Sequence, residues 1–167
     1  MQFVNLDKFQ RYKLNQSQRE FFLRVVPLSI FVQEQTIEKS FVTEKETVSG
    51  IFSSIICANI ILRSNWGTHP VAQQDNLALL LSHKFWKKSV FEFEGIKYKS
   101  FKNWREFAIE YSDVLAWQNG FERILKINSR NEQLKALVLM DPNLTYDKMA
   151  QVIQDFGLSE FDIHGVS

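Results

Sequence analysis

The run Ile51 to Leu62, IFSSIICANIIL, constrains this chain more than any other stretch. It carries no charged residue in twelve positions. It is too short to cross a bilayer, which takes about 20 apolar residues, and Asn59 interrupts it. Its apolar side chains point all round a helical wheel, so the segment Ile51 to Asn65 predicts a helix enclosed by protein on every side. Gly67 is placed to end that helix. Enclosing it takes other helices, and the composition allows this. Of 167 residues, 45% are apolar and 23% charged, the balance of an ordinary globular domain rather than a disordered or fibrous chain.

The flanking sequence supplies candidates. Ser17 and Glu20 read as a capping box at the start of a helix carrying Phe21, Phe22, Val25, Val26, Leu28 and Phe31. Pro27 is expected to kink or split it. Residues 33–49 are polar and predict a surface connection. Val71 to Leu81 predicts a second, shorter helix. The period then changes to two over residues 88–101, with Glu94-Gly95 at the centre, which predicts a β-hairpin. Helices follow over Asn103 to Leu115, Arg130 to Leu139 and Thr145 to Phe156, with Gly157 stopping the last. The whole predicts a mostly helical α+β domain over residues 17–167, preceded by an N-terminal arm, residues 1–16. The arm mixes Phe3, Val4, Leu6, Phe9 and Tyr12 with polar residues, a pattern that docks on its own domain or tethers it to a neighbour.

Composition also narrows the chemistry. The single cysteine, Cys57, excludes an internal disulfide and sits in the apolar run, where it reads as a small buried hydrophobe. His69, His83 and His164 share no ligand spacing, so no metal or other cofactor is expected. A net charge of +1 argues against a nucleic-acid partner. The opening residues show no basic segment followed by an apolar run, so no signal peptide is expected, and no membrane span either. Fifteen Phe against four Trp and four Tyr give an aromatic weight that fills a core or faces a partner. His83-Lys84-Phe85-Trp86-Lys87-Lys88 is a basic and aromatic cluster suited to a protein or glycan contact.

The stretch IFSSIICANIILRSNWG, residues 51–67, resembles the signature of the glucosaminidase family of bacterial and phage cell-wall hydrolases, glycoside hydrolase family seventy-three, with a lysozyme-like fold. That family typically shows a helix-start Ser, a midway Ala-Gln pair and a closing Leu-Glu-Ser-x-Trp-Gly. Ser54, Ala58-Asn59 and Leu62-Arg63-Ser64-Asn65-Trp66-Gly67 align with these without a gap. Asp75-Asn76-Leu77 is similar to the family's Asn-Asn-Leu-Phe-Gly-Ile turn. Tyr98-Lys99-Ser100-Phe101, Trp104 and Glu110-Tyr111 resemble its Phe-Arg-x-Tyr, Trp and Asp-Tyr. Asp141-Pro142-Asn143, Lys148, Ile153, Leu158 and Phe161-Asp162 resemble its closing segment. The match runs over residues 17–162.

The resemblance implies peptidoglycan cleavage, and the departures from it imply that the activity is lost. Glycoside hydrolysis takes a proton donor for the leaving oxygen. The family's donor is the Glu before Ser-x-Trp-Gly, and Arg63 stands in that place. A guanidinium holds its proton at all ordinary pH and cannot act as that acid. The family's active-site Tyr corresponds to Val138, its turn Phe-Gly to Ala78-Leu79, and its midway Gln to Asn59. Glu92 or Glu94 takes the place of its second acid, where either is equally an exposed hairpin charge. The implied residual cleft comprises Arg63, Trp66, Asp75, Asn76, Glu92 and Glu94. Asp75 and Glu92 are the expected partners of Arg63, which either plugs the old site as an ion pair or binds an anionic group. Trp66 is a core anchor or a platform for a sugar ring. Three functions stay in play: a structural part of a phage tail, baseplate or cell-envelope assembly with protein partners; a peptidoglycan binder without cleavage; and an active hydrolase using a displaced carboxylate.

Overall fold

The structure is a computed structural model that describes residues 14–41, 49–117 and 121–164. Most of the predicted N-terminal arm, residues 1–13, lies outside them. The elements are α1 (Gln16–Phe41), α2 (Ser53–Ser64), a 3₁₀ turn (Ala72–Gln74), β1 (Val90–Phe93), β2 (Ile96–Lys99), α3 (Trp104–Trp117), α4 (Phe121–Leu125), α5 (Arg130–Met140), α6 (Tyr146–Asp155) and a closing 3₁₀ turn (Leu158–Phe161). This is the mostly helical α+β arrangement with one two-stranded antiparallel hairpin that the sequence predicts.

Helix α2 is the central element. Ser53, Ser54, Ile55, Ile56, Cys57, Ala58, Ile60, Ile61 and Ser64 are all buried along it. Helix α1 packs on one side, and α6 with the closing turn on the other; α1 also packs along α3. Phe22, Phe52, Phe107, Leu134 and Met149 close the core around it. Among the described residues, Phe21, Phe22, Phe52, Phe101, Phe107 and Tyr111 are the buried aromatics.

Several boundaries differ from expectation, each for a local reason. Helix α1 starts two residues early because Asn15 and Gln18, not Ser17 and Glu20, form the reciprocal cap. Asn15 Oδ1 accepts from Gln18 N at 2.8 Å, and Gln18 Oε1 accepts from Asn15 N at 3.2 Å. Pro27 sits exposed on α1 and does not split it. The same helix runs through the polar segment predicted as a surface connection, and Gln33 and Thr36 on it are fully buried. They are polar because a backbone crossing needs them. Gln33 Oε1 accepts from Ser53 N and Ile163 N, both at 3.0 Å, while its Nε2 donates to Ser49 O at 2.9 Å and Ile163 O at 2.8 Å. Thr36 Oγ1 accepts from Ile51 N at 3.0 Å. From α5, buried Gln133 accepts from Phe52 N at 2.9 Å and donates to Gly50 O at 2.6 Å. Two glutamines therefore satisfy the buried loop that feeds α2.

Asp162, from the far end of the chain, caps α2. Its carboxylate accepts from Ser54 N and Ser54 Oγ, both at 2.8 Å, and from Ser53 Oγ at 3.2 Å. At the other end, Asn65 rather than Gly67 closes the helix, with φ 47°. Asn is the usual non-glycine residue in that conformation. Gly67 instead makes room for a neighbouring ring, since a Cβ there would meet Phe21 at 2.6 Å.

The helix expected over residues 71–81 reduces to one 3₁₀ turn. Left-handed Asp75 (φ 58°) and Leu79 (φ 53°) interrupt it. Asn76 then captures the backbone: its Oδ1 accepts from Leu80 N at 2.8 Å, and its Nδ2 donates to Leu80 O at 2.9 Å and Lys99 O at 2.8 Å. Residues 80–82 lie against β2 instead, through Lys99 N to Leu80 O at 2.9 Å and Ser82 N to Lys97 O at 3.0 Å.

Candidate functional site

Arg63 projects from the last turn of α2 into a cavity of about 130 Å³. Ile55, Ile56, Leu115, Leu137 and Met149 make that cavity largely apolar, and its polar side is a chain of four groups. The buried Tyr111 hydroxyl accepts from Asn59 Nδ2 at 2.8 Å. Asn59 Oδ1 accepts from Arg63 Nε at 3.0 Å. The Arg63 guanidinium then pairs with the Asp141 carboxylate. Burial raises the Tyr111 hydroxyl above the ordinary phenol range, with the Asn59 bond and the Arg63 charge opposing. Among the described residues lining this cavity, Asp141 is the single acid.

The carboxylate on Arg63 is thus neither Asp75 nor Glu92. Helix α5 ends at Asp141, whose backbone N–H closes its last turn and whose side chain reaches α2 across 78 residues of sequence. Val138 packs half-buried against the core from α5, one position beyond Leu137, which lines the cavity. Ala78 lines it too.

The other predicted cleft residues go elsewhere. Asn76 is fully buried and holds the segment before the hairpin. Glu92 and Glu94 are exposed, Glu92 opposite Lys97 and Glu94 in the left-handed first position of the hairpin turn. Trp66 and Asp75 line a separate, mostly polar groove of about 510 Å³ between the first turns of α1 and the 66–75 segment. Ser17, Glu20, Phe21, Arg24, Gln73 and Trp104 share its walls. The Arg24 guanidinium lies over the Trp104 ring, 3.8 Å from its centroid. Trp104 donates a hydrogen bond to Asp75, whose carboxyl is raised by burial against that bond and the Arg24 charge. Trp66 meets Phe21 and Phe156 edge-on at 6.2 and 5.2 Å. It is therefore packed against the core and open to the groove together. Its φ of 56° is unusual for a large side chain and costs about 1 to 3 kcal/mol.

The basic and aromatic cluster is a fixed turn. Trp86 N donates to His83 O at 2.9 Å, and Phe85 N to His83 Nδ1 at 3.3 Å. Trp86 turns inward: its Nε1 donates to Ser89 O at 2.9 Å, its ring meets Phe101 edge-on, and Lys99 Nζ lies 4.8 Å from its centroid. Buried Lys99 also bonds Glu110 at 2.7 Å. Phe85 turns outward and is 74% exposed. In the hairpin, Phe91, Phe93, Ile96 and Tyr98 share one face, which Leu81 extends through its bridge to Tyr98; none of these five is buried.

Among the described residues, no group of three or more His, Cys, Asp or Glu side chains comes together as a metal site, and no helix is long and apolar enough to cross a membrane. His69 Nδ1 accepts from Val71 N at 3.1 Å, and His164 lies against Phe52.

The fold is that of bacterial cell-wall hydrolase domains of the glucosaminidase-like kind. The catalytic domain of the autolysin Auto from Listeria monocytogenes superposes with a TM-score of 0.63 at 12% identity, covering 97% of this chain and all of that one. An N-acetylmuramoyl-L-alanine amidase structure from Staphylococcus aureus gives 0.63 at 18% identity, over 90% of this chain and 44% of that one. A C-terminally truncated glycoside hydrolase domain of FlgJ from Salmonella typhimurium gives 0.53 at 18% identity, over 77% and 97%. No family profile and no curated protein matches the sequence.

Proposed function

We propose that this chain is a non-hydrolytic domain of the cell-wall hydrolase fold, kept as a structural part of an assembly, in a phage tail or baseplate or in the cell envelope. The observation that carries the reading is the Arg63–Asp141 pair inside the cavity where the resemblance puts the general acid. A guanidinium there donates no proton to a leaving oxygen, and it repels an oxocarbenium-like transition state. The single lining carboxylate is occupied by that guanidinium, whereas both stereochemical courses of glycoside hydrolysis use two carboxyls, about 5 to 9.5 Å apart. The half-buried apolar face of the hairpin, on which Leu81 and Ile96 are exposed, supports the assembly half of the reading, because apolar side chains gathered on a surface mark protein contacts.

The test is release of reducing sugar from purified peptidoglycan, wild type beside Arg63→Glu and the double variant Arg63→Glu/Val138→Tyr. Wild type should show no release above background. Loss of a general acid alone typically costs about 100- to 10,000-fold. Turnover by wild type at a rate usual for a muralytic enzyme would overturn the reading. Activity gained by the double variant would show that the cleft itself survived.

A further inference from the structure

We propose that this chain binds a second copy of itself head to tail, the tip of its hairpin seating in a basic, apolar hollow between α1 and α3. The inference rests on the assembly half of the proposed function and on nothing about the Arg63 cavity. The hollow has a volume of about 530 Å³ and shares Arg24 and Trp104 with the Trp66 groove. Pro27, Leu28 and Phe31 of α1 and Ala108 of α3 make it mostly apolar, and Arg24 and Arg105 are the charged residues that line it. Both arginines are exposed. Among the described residues neither is in an ion pair, although Asp75 lies near enough to feel the Arg24 charge. Arg24 is placed by the Trp104 ring beneath it, and a guanidinium over an indole still presents N–H groups to a carboxylate.

The chain carries the complement on its own hairpin. Residues 94–97 are all exposed, and a Cβ at Gly95 would meet nothing within 4 Å, so the turn stands clear of the rest of the fold. The tip holds Ile96, 47% exposed, together with Glu92 and Glu94, which are in no ion pair among the described residues. Lys97 lies opposite Glu92, so two carboxylates stand against one ammonium and the tip is acidic. An apolar side chain flanked by carboxylates matches an apolar hollow flanked by guanidiniums. Other exposed apolar residues match it less well. Phe85 is flanked in sequence by Lys84, Lys87 and Lys88, which the arginines repel. Leu139 adjoins Asp141, whose carboxylate Arg63 already holds. Tip and hollow are different surfaces, so the contact is heterologous. Successive copies then add into an open row or a closed ring and do not stop at a two-fold pair.

The experiment is sedimentation velocity of the whole chain across a concentration series. The mean mass should rise with concentration and fall as salt is raised to about 0.5 M, which screens the charges at the contact. Arg24→Glu/Arg105→Glu and Glu92→Lys/Glu94→Lys should each stay monomeric. An equimolar mixture of the two should associate again, because each reversed hollow then meets a reversed tip. Ile96→Ser, a change at an exposed position, should weaken association about fivefold or more. Arg63→Glu should associate as wild type, so this result and the peptidoglycan assay stand or fall separately. The proposal is overturned if wild type stays monomeric throughout, an outcome that leaves the hollow to an acidic segment of another protein. It is overturned equally if association survives either pair of charge reversals, or if Ile96→Ser associates as wild type. It is overturned again if the mixed variants, each folded by circular dichroism, remain monomeric.

Discussion

Gly67 and Gly95 separate two costs that substitutions usually mix. Both have a left-handed backbone, at φ 78° and 79°, but a Cβ at Gly67 meets the Phe21 ring at 2.6 Å while one at Gly95 meets nothing within 4 Å. Gly95→Ala should cost about 1 kcal/mol from backbone strain alone, and Gly67→Ala about 3 kcal/mol, measured by urea denaturation. Cys57 allows a sharper statement. Burial pushes its thiol up to about 12, so a thiol reagent at pH 8 should label it only as fast as the protein unfolds. Labelling of the native protein at the rate of a free thiol would contradict the buried position. Asp162 sets a pH dependence. Burial raises its carboxyl above the usual range, against the Ser54 and Ser53 hydrogen bonds and the Arg130 charge. The folded state therefore holds that proton more tightly than the unfolded chain. This contribution to stability is full below the unfolded value, about 3.9, and is lost as pH rises through the higher folded value. Midpoints measured across that window should decline more steeply with pH in wild type than in Asp162→Asn.

The elements show where periodicity is a sufficient guide and where it is not. The hairpin, α3 and α6 were legible because each repeats with a clear period and carries its own stop or start, Glu94-Gly95, Asn103 and Gly157, and α2 was legible as an unbroken apolar run. Asn103 Oδ1 does accept from Glu106 N, at 2.9 Å. The 71–81 segment was not legible, because Asn76 wins its backbone by bonds to Lys99, and that partner lies 23 residues away. The extension of α1 was hidden for the same reason. Gln33 and Thr36 look solvated in a sequence, and only the crossing loop shows why they are buried. Gln33→Leu should cost about 3 to 5 kcal/mol, since it strands several buried backbone groups, whereas Gln35→Leu on the same helix should change stability by less than about 1 kcal/mol. Similar midpoints for the two variants would remove Gln33 from its place in the frame.

At the scale of the whole molecule, the candidate site was legible in its members but not in its grouping. The resemblance singles out Arg63, Trp66, Asp75, Asn76, Glu92 and Glu94 as one cleft, and the fold distributes them over a cavity, a groove, a buried turn and an exposed hairpin. The partner of Arg63 stood in view in Asp141-Pro142, yet its pairing depends on how α5 meets α2, which no local pattern encodes. Glu20, Arg24 and Trp104 gave no signal as a group, because α1 and α3 bring them together only when packed. The closing turn carries one consequence further. Asp162 and Ile163 complete the cap of α2 and the bonds of Gln33, so the central helix is finished by nearly the last residues described. During synthesis α1 and α2 leave the ribosome long before that cap exists, and they must wait, apolar and unshielded, for more than ninety residues (on the order of 5 to 20 seconds of translation at about 5 to 20 residues per second). A chain halted after Gly157 should accordingly engage chaperones or a protease in place of folding, while one released after His164 should fold cooperatively; a sharp unfolding transition in the shorter chain would show that the late cap is dispensable.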